Sequence, residues 1–244
     1  MDNYEEYYNN FYKELLKYDK VGNTFSKIDG ILPHLFGSES FLDIGCGYGS
    51  VSKELINRGF KVFGVEINDD ALFELNKIGF ETLKADITKP LNLDRQFDIV
   101  LILDVLEHLF DPVSLLSEAK KYVNIDGYII INVPLYFDLL DRLKILFTGS
   151  VISMDNLCYG EENFKKFRSY NYDHIRFFRP ADMIEMGNNL NLTLEEVQYD
   201  YTRYIGKNLL LKAIFKLISN NVTAHLFPNL FAHSMKIRWK VRKK

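Results

Sequence analysis

From residue 41 to residue 133 the chain alternates short apolar runs with longer amphipathic ones, and this rhythm limits the possible folds more than any other feature. Phe41–Ile44, Lys61–Ile67, Glu81–Ala85, Phe97–Leu103 and Tyr128–Val133 have the length and the branched or aromatic content of strands. Ser50–Asn57, Asp70–Ile78 and Val113–Val123 have helical spacing, with Asp69 or Asp70 as the cap of the second and Asp111-Pro112 opening the third. Alternation of this kind predicts βαβ units and a parallel sheet. After Pro134 the rhythm fails, and residues 135–172 are aromatic and irregular, as expected of an insertion over a site. Residues 180–190 are expected as a helix, 192–200 as a strand, and Ser234–Val241 as a last strand closing an antiparallel edge. Two helices are expected at the start. One carries Tyr4, Tyr7, Tyr8, Phe11, Tyr12, Leu15 and Leu16. The other, over 23–36, carries Phe25, Ile28, Ile31, Leu32 and Leu35, with Pro33 bending it.

The chain has no internal repeat and no low-complexity linker. A single domain over 1–244 is expected, divided into a helical lid (1–36), a cofactor-binding half (38–133), an acceptor-side insertion (134–178) and a basic segment (205–244). A length of 244 residues buries a core without disulfides. Cys46 and Cys158 form no disulfide framework, which points to a reducing compartment. The start, MDNYEEYYNNFYKELL, lacks the basic and apolar regions of a secretory signal, and no run approaches the roughly 18 apolar residues of a membrane span. A cytoplasmic protein is expected.

Net charge is −3, but Ile205–Lys244 holds nine Lys or Arg and no acid, so the first 204 residues carry −12. Within the tail, KNLLLKAIFKLI (207–218) has the character of a basic amphipathic helix. That composition suits peripheral contact with an anionic membrane, or equally a helix packed on its own domain. No RNA-binding signature is present, and nucleic acid is not expected as a partner.

In open parallel sheets, ligands bind beyond the carboxyl ends of the strands. The first such end here is Asp43-Ile44-Gly45-Cys46-Gly47-Tyr48-Gly49. Its glycines let the backbone turn and approach a ligand closely, and the helix after them offers N–H groups to an anion. Asp43 suits an ammonium group, or a water bound to one. Glu66 lies 19 positions past Gly47, where an acidic side chain accepts bonds from ribose hydroxyls. At the third strand end, Asp86 suits an exocyclic adenine amine, with Ile67 and Ile87 on either side of the ring. Cys46 and Leu103 complete the expected lining. The loop is G-x-G-x-G, with Ser50 where a dinucleotide fingerprint has Gly or Ala. Asp43 would also repel a pyrophosphate, so the pattern favours adenosylmethionine over NAD.

The runs FLDIGCGYGS, VFGVEI, KADI, FDIVLILDVLEHLFDP and YIIINVP resemble, in that order, the motif series of class I S-adenosylmethionine-dependent methyltransferases. The likeness covers about residues 38–200. It is greatest to the branch of ubiquinone-pathway O-methyltransferases and bacterial small-molecule or glycan methyltransferases. It implies an α/β, Rossmann-like, doubly wound sheet of seven mostly parallel strands with an antiparallel last pair. It also implies S-adenosyl-L-methionine as donor, with Asp43, Gly45, Gly47 and Gly49 around its methionine part, Glu66 on the ribose and Asp86 on the adenine. The implied reaction is methylation of a small molecule, most simply at a hydroxyl of a lipid, quinone, sugar or other metabolite. N-methylation of a metabolite or sugar amine is the alternative acceptor chemistry. An NAD-dependent oxidoreductase and a non-catalytic nucleoside-binding protein are the alternative functions. The N-terminal helices and residues 134–172 match the family poorly.

Methyl transfer from a sulfonium needs alignment above all, and positioning alone supplies ~7–11 kcal/mol. A base helps when a hydroxyl or amine must lose its proton. Asp104, Glu107 and His108 follow the fourth strand at offsets that would share one face of a helix. They are expected to act as catalytic groups. In some relatives an acidic-x-x-Glu-His pattern binds a metal, which implies Mg2+, although Asp104 has a shorter arm than the Glu usual at the first position. His174, in Tyr172-Asp-His-Ile-Arg-Phe-Phe178, resembles a His-x-x-x-Phe segment beside the acceptor pocket. Histidine titrates near neutrality and suits a base, or else a hydrogen-bonded core position.

Overall fold

The computed structural model describes residues 27–149, 174–201 and 218–242. Seven strands form one sheet in the order β3-β2-β1-β4-β5-β7-β6. The strands are β1 (Ser40–Ile44), β2 (Lys61–Glu66), β3 (Glu81–Lys84), β4 (Phe97–Leu103), β5 (Val123–Pro134), β6 (Thr193–Asp200) and β7 (Ser234–Lys240). β3, β2, β1, β4 and β5 pair in parallel, and β7 runs antiparallel to both its neighbours. This is the α/β architecture that the motif series implies.

The helices are α1 (Ser50–Asn57), α2 (Asp69–Lys77), α3 (Pro112–Lys121), α4 (Leu139–Thr148), α5 (Pro180–Asn189), α6 (Asn221–Leu226) and α7 (Pro228–Phe231). They cover both faces of the sheet, because period-two alternation sends neighbouring strand residues to opposite sides. Leu42, Ile44, Val100, Ile102, Ile129 and Ile131 join Leu115, Leu116 and Met183 in the larger core. Phe41, Ile99, Leu101 and Ile130 join Val51, Leu55 and Leu75 in the other. Trp239 on β7 is fully buried, and Gly187 on α5 gives it room: a Cβ there would lie 2.5 Å from the indole nitrogen.

Four expectations need correction. Residues 28–36 are not helical. Ile28 and Ile31 are fully buried against the second core but lie on a turn closed by Ile31 N–H to Ile28 O at 3.2 Å. Gly30 there has φ 77, outside helical space, and Pro33 has no N–H to continue a ladder. Residues 139–148 form α4 where an irregular chain was expected. Asp138 caps it by accepting from Asp141 N–H, and its dense apolar content hides the helical period. The cap of α2 is Asn68, which accepts from Ala71 N–H at 2.7 Å, rather than Asp69 or Asp70. Finally, β7 does not close an edge. It lies between β5 and β6, with Trp239 opposite both Ile129 and Leu194. The expected helix over 4–18, Phe25, Cys158 and most of the insertion and of 207–218 lie outside the described residues. Among the described residues, no helix is long and apolar enough to cross a membrane.

Candidate functional site

The order of the sheet reverses at β1 and β4. From β1 the chain crosses to β2 and β3 on one side, while β4 and β5 lie on the other. A crevice opens at such a switch point beyond the strand ends, and two loops face it here.

The first loop follows β1. The N–H groups of Gly45 and Cys46 both donate to Val65 O, at 2.8 and 3.1 Å, and Gly49 N–H donates to Cys46 O at 2.8 Å. Gly45 has φ 73, and a Cβ added there would lie 2.7 Å from a methyl of Val105, so only glycine allows this loop to press against the chain leaving β4. Glu66, buried at the tip of β2, organises the loop further. Its Oε2 accepts from Gly47 N–H at 2.8 Å, and its Oε1 from the N–H groups of Ile67 and Asn68 at 2.8 and 2.9 Å. Burial raises its carboxyl above the ordinary range against the pull of those three bonds.

Asp43, also buried, accepts from the Ser52 hydroxyl at 2.5 Å. Burial pushes its carboxyl up to about 6, with the hydroxyl of Ser52 opposing and the charge of Glu66 adding to the rise. Two carboxylates that feel one another across neighbouring strand tips form a pocket made for positive charge. Cys46 is buried beside them, and burial with the two acids raises its thiol well above the ordinary value.

Asp86 turns into its own loop. Its Oδ1 accepts from Thr88 N–H at 2.9 Å and from the Thr88 hydroxyl at 2.6 Å, and Oδ2 pairs with Lys89 at 3.0 Å. Burial alone would raise its carboxyl, but those contacts hold it below the ordinary value. Ile67, Ile87 and Leu103 are half-buried.

The second loop follows β4. Asp104 adopts φ 54 and breaks the strand, and a single 3-10 turn, Leu106–His108, follows. Asp104, Glu107 and His108 therefore do not share a helix face, which corrects the expected arrangement. The Asp104 carboxylate is held by Lys27 and by the amide of Asn132 on β5. Glu107 is fully buried, and His108 Nε2 lies 4.0 Å from its Oε1.

His174 arrives from a distant segment. Ile175 and Arg176 donate their N–H groups to Glu107 O at 2.9 and 3.0 Å, which fastens that segment to the turn. The imidazoles of His108 and His174 meet edge to face with centroids 4.6 Å apart. The Tyr136 hydroxyl is hydrogen-bonded to His174 Nδ1, and its ring packs edge to face on Phe177 at 4.9 Å. Burial and the neighbouring His108 lower His174 to about 4, with Asp104 opposing. One oxygen or nitrogen from each of Glu107, His108 and His174 lies within 4.8 Å of the others.

The Mg2+ site implied by the sequence pattern does not fit this arrangement. Asp104 is turned away and committed to Lys27 and Asn132, and the groups that converge are richer in nitrogen than Mg2+ accepts. Sequence reasoning missed Lys27, Asn132 and Tyr136. Tyr136 and Asn132 stand at the tip of an apolar strand, a position that signals function in such a sheet, whereas Lys27 carries no local signal at all.

A family model described as "Methyltransferase domain" matches residues 4–197. The ubiquinone biosynthesis O-methyltransferase of Shewanella pealeana is 25% identical over 172 residues, 68% of this chain and 67% of the relative. That of Rickettsia bellii is 26% identical over 164 residues, 64% of this chain and 62% of the relative. The match thus spans about two thirds, or slightly less, of these relatives. A methyltransferase structure from Archaeoglobus fulgidus, titled SAM dependent, superposes with a TM-score of 0.60 at 20% identity, covering 94% of this chain and 99% of that one. The magnesium protoporphyrin IX methyltransferase of Synechocystis, solved with bound SAH, has a TM-score of 0.60 at 16% identity and covers 97% of both chains. Both structures share the fold described above.

Proposed function

Since this chain belongs to the class I S-adenosylmethionine-dependent methyltransferases, we propose that it moves the methyl group of S-adenosylmethionine to a hydroxyl of a small-molecule acceptor. The observation that carries this reading is the buried pair Asp43 and Glu66 around the glycine loop, packed through Val105 against the turn that bears His108. The donor brings a methyl already activated by its sulfonium charge, so the protein needs chiefly to bind, align and exclude water.

Asp43 takes the donor's ammonium group. Near pH 7 it is largely ionised even with its carboxyl pushed up to about 6, and the bound cation favours that form further. Glu66 receives the ribose hydroxyls. Each carboxylate oxygen accepts two bonds, so it does this while holding the loop N–H groups. Gly45, Cys46, Gly47 and Gly49 lie along the methionine part, with Leu103 opposite. Ile67 and Ile87 flank the adenine, and Asp86, oriented by Thr88, meets its amine.

On the acceptor side, His174 and His108 take the proton that leaves the hydroxyl as the methyl arrives. With Nδ1 of His174 bonded to Tyr136, Nε2 is the nitrogen assigned to that proton. Asp104 and Glu107 support the pair, Asp104 through its charge and Glu107 through the backbone bonds that seat His174. Tyr136, Phe137 and Phe177 give this side an aromatic wall suited to a flat or lipid-like acceptor such as a quinone precursor. The O-methyltransferase activity of the ubiquinone-pathway relatives supports an oxygen acceptor.

Calorimetry with S-adenosylhomocysteine and NAD, followed by transfer of a labelled methyl to a panel of phenols, sugars, lipids and amines, tests the proposal. Uptake of S-adenosylhomocysteine with label on a hydroxyl supports it. NAD binding alone would return the dehydrogenase alternative. Donor binding with no transfer to any acceptor would favour a binding protein, and label on nitrogen would replace the hydroxyl by an amine.

A further inference from the structure

We propose that Lys27 sets the preference for the charged donor over the product, whose sulfur is uncharged. The donor's sulfonium displaces the Lys27 ammonium from Asp104, and the ammonium returns once transfer has removed that charge. This rests on the methyl-transfer reading and adds a specificity-determining residue to it.

The Asp104 carboxylate has one fixed partner and one exchangeable partner. Its Oδ1 accepts from the side-chain amide of Asn132, a buried residue on β5, and the Asp104 N–H donates to Asn132 O at 2.9 Å. Its Oδ2 pairs with the Lys27 ammonium, and the two side chains of that pair are 33% and 32% exposed, open enough for exchange. Lys27 directly precedes the turn that Ile28 and Ile31 anchor in the second core. Its flexible four-carbon stem can therefore leave Asp104 while the backbone stays seated. Asn132 meanwhile keeps the carboxylate in place for another cation.

The pair also spans the gap that the methyl crosses. β4 runs beside β1 as far as Ile102 and Ile44, and Val105, one residue past Asp104, packs against Gly45 of the donor loop. Burial raises the Asp43 carboxyl, and the charge of Lys27 opposes that rise. Burial and His108 lower His174, and the charge of Asp104 opposes that fall. Lys27 thus reaches Asp43 electrostatically on the donor side, Asp104 reaches His174 on the acceptor side, and the two touch each other. A cation is disfavoured by a like charge and favoured by an opposite one. A sulfonium arriving beside Asp43 is repelled by Lys27 and attracted by Asp104, so it takes over as the counter-ion of Asp104.

During transfer the acceptor oxygen forms the new bond to carbon. The electron pair of the broken carbon–sulfur bond stays on sulfur, and the hydroxyl proton passes to His174. That imidazolium gives its proton to water at neutral pH, because burial and His108 hold His174 at about 4. Asp104 is then left without a cation, and Lys27 returns to it.

S-adenosylmethionine and S-adenosylhomocysteine differ by one methyl and one positive charge. The methyl is common to every variant, so a change in their affinity ratio between variants reports the charge. Calorimetry with both ligands compares the full wild-type chain with Lys27→Met, Lys27→Arg and Asp104→Asn, the last chosen because Asn tolerates the positive φ of residue 104. Lys27→Met should raise the preference for S-adenosylmethionine about five- to tenfold, and Asp104→Asn should lower it by at least about fivefold. Lys27→Arg, which keeps the charge, should stay within about twofold of wild type. Equal weakening of both ligands in Lys27→Met would mark a purely structural tie and overturn the inference, as would a preference that falls. Wild-type chain that binds both ligands, with the ratio unmoved in Lys27→Met, overturns the role of Lys27 and leaves the methyl-transfer reading intact. Wild-type chain that takes up neither ligand overturns that reading, and this inference with it.

Discussion

The tips of β1 and β2 and the tips of β4 and β5 face one crevice, yet they are built differently. On the β1 and β2 side a single carboxylate, Glu66, gathers backbone N–H groups from Gly47, Ile67 and Asn68, and the shape follows from a few consecutive residues. On the β4 and β5 side, Lys27, Asp104, Asn132, Tyr136 and His174 meet by side chain from separate segments. Under the proposed function, the first arrangement shapes the donor's side of the crevice. The second varies without disturbing the sheet, and it suits the part of an enzyme that selects what is modified.

The largest expected effect breaks the two sides apart. His174→Ala should lower turnover by ~10²–10⁴-fold while S-adenosylhomocysteine affinity stays within about twofold, as measured by initial rates and calorimetry. A parallel fall in both would show that the sides are not separable. Asp43→Asn should do the reverse, weakening S-adenosylmethionine binding at least ~30-fold, the equivalent of about 2 kcal/mol for an unpaired buried charge.

Acid should also separate the sides, because their titrations have opposite signs. Asp43 holds its proton more tightly folded (about 6) than at its ordinary 3.8. Its contribution to stability is full below 3.8 and is lost as pH rises through about 6. His174 resists protonation when folded (about 4 against 6.5), so its contribution is full above 6.5 and is lost as pH falls toward 4. Between about 4 and 6 the two slopes oppose each other. Relative to wild type, Asp43→Asn should become less stable toward acid and His174→Gln relatively more stable, read from denaturation midpoints at several pH values. Parallel curves for all three proteins would refute the assignment.

The smallest effect compares two helix caps. Asn68→Ala and Asp111→Ala should each cost about 1 kcal/mol in a denaturant melt. Only Asn68→Ala should also weaken donor binding: the backbone N–H of residue 68 still reaches Glu66, but the side-chain cap that fixes its direction is lost.

The same contrast explains what was legible in the sequence. β1, α1, β2 and β4 follow from local apolar spacing and lie within a residue of where it puts them. Asp43, the glycines and Glu66 were visible because the elements that carry them are consecutive. The acceptor side was legible only in part. Glu107, His108 and His174 stand out by type, but their meeting depends on Glu107 O receiving two N–H groups from a segment 67 or more positions away. Asp104 was misplaced because no pattern foretells a positive φ at an aspartate that ends a strand. The turn at Ile28–Ile31 mimicked a helix because both of its apolar residues are buried.

Because β7 lies between β5 and β6, a ribosome releases β6 before β7, the strand it pairs with among the described residues, exists. Ser234, which faces Asp200 in the finished sheet, emerges 34 positions later. At ~5–20 residues per second, that is a delay of about 2–7 s. During that interval the outward edge of β5 and all of β6 are unsatisfied templates for another nascent chain. Synthesis of this protein should therefore depend on chaperones most acutely between the emergence of β6 and that of β7.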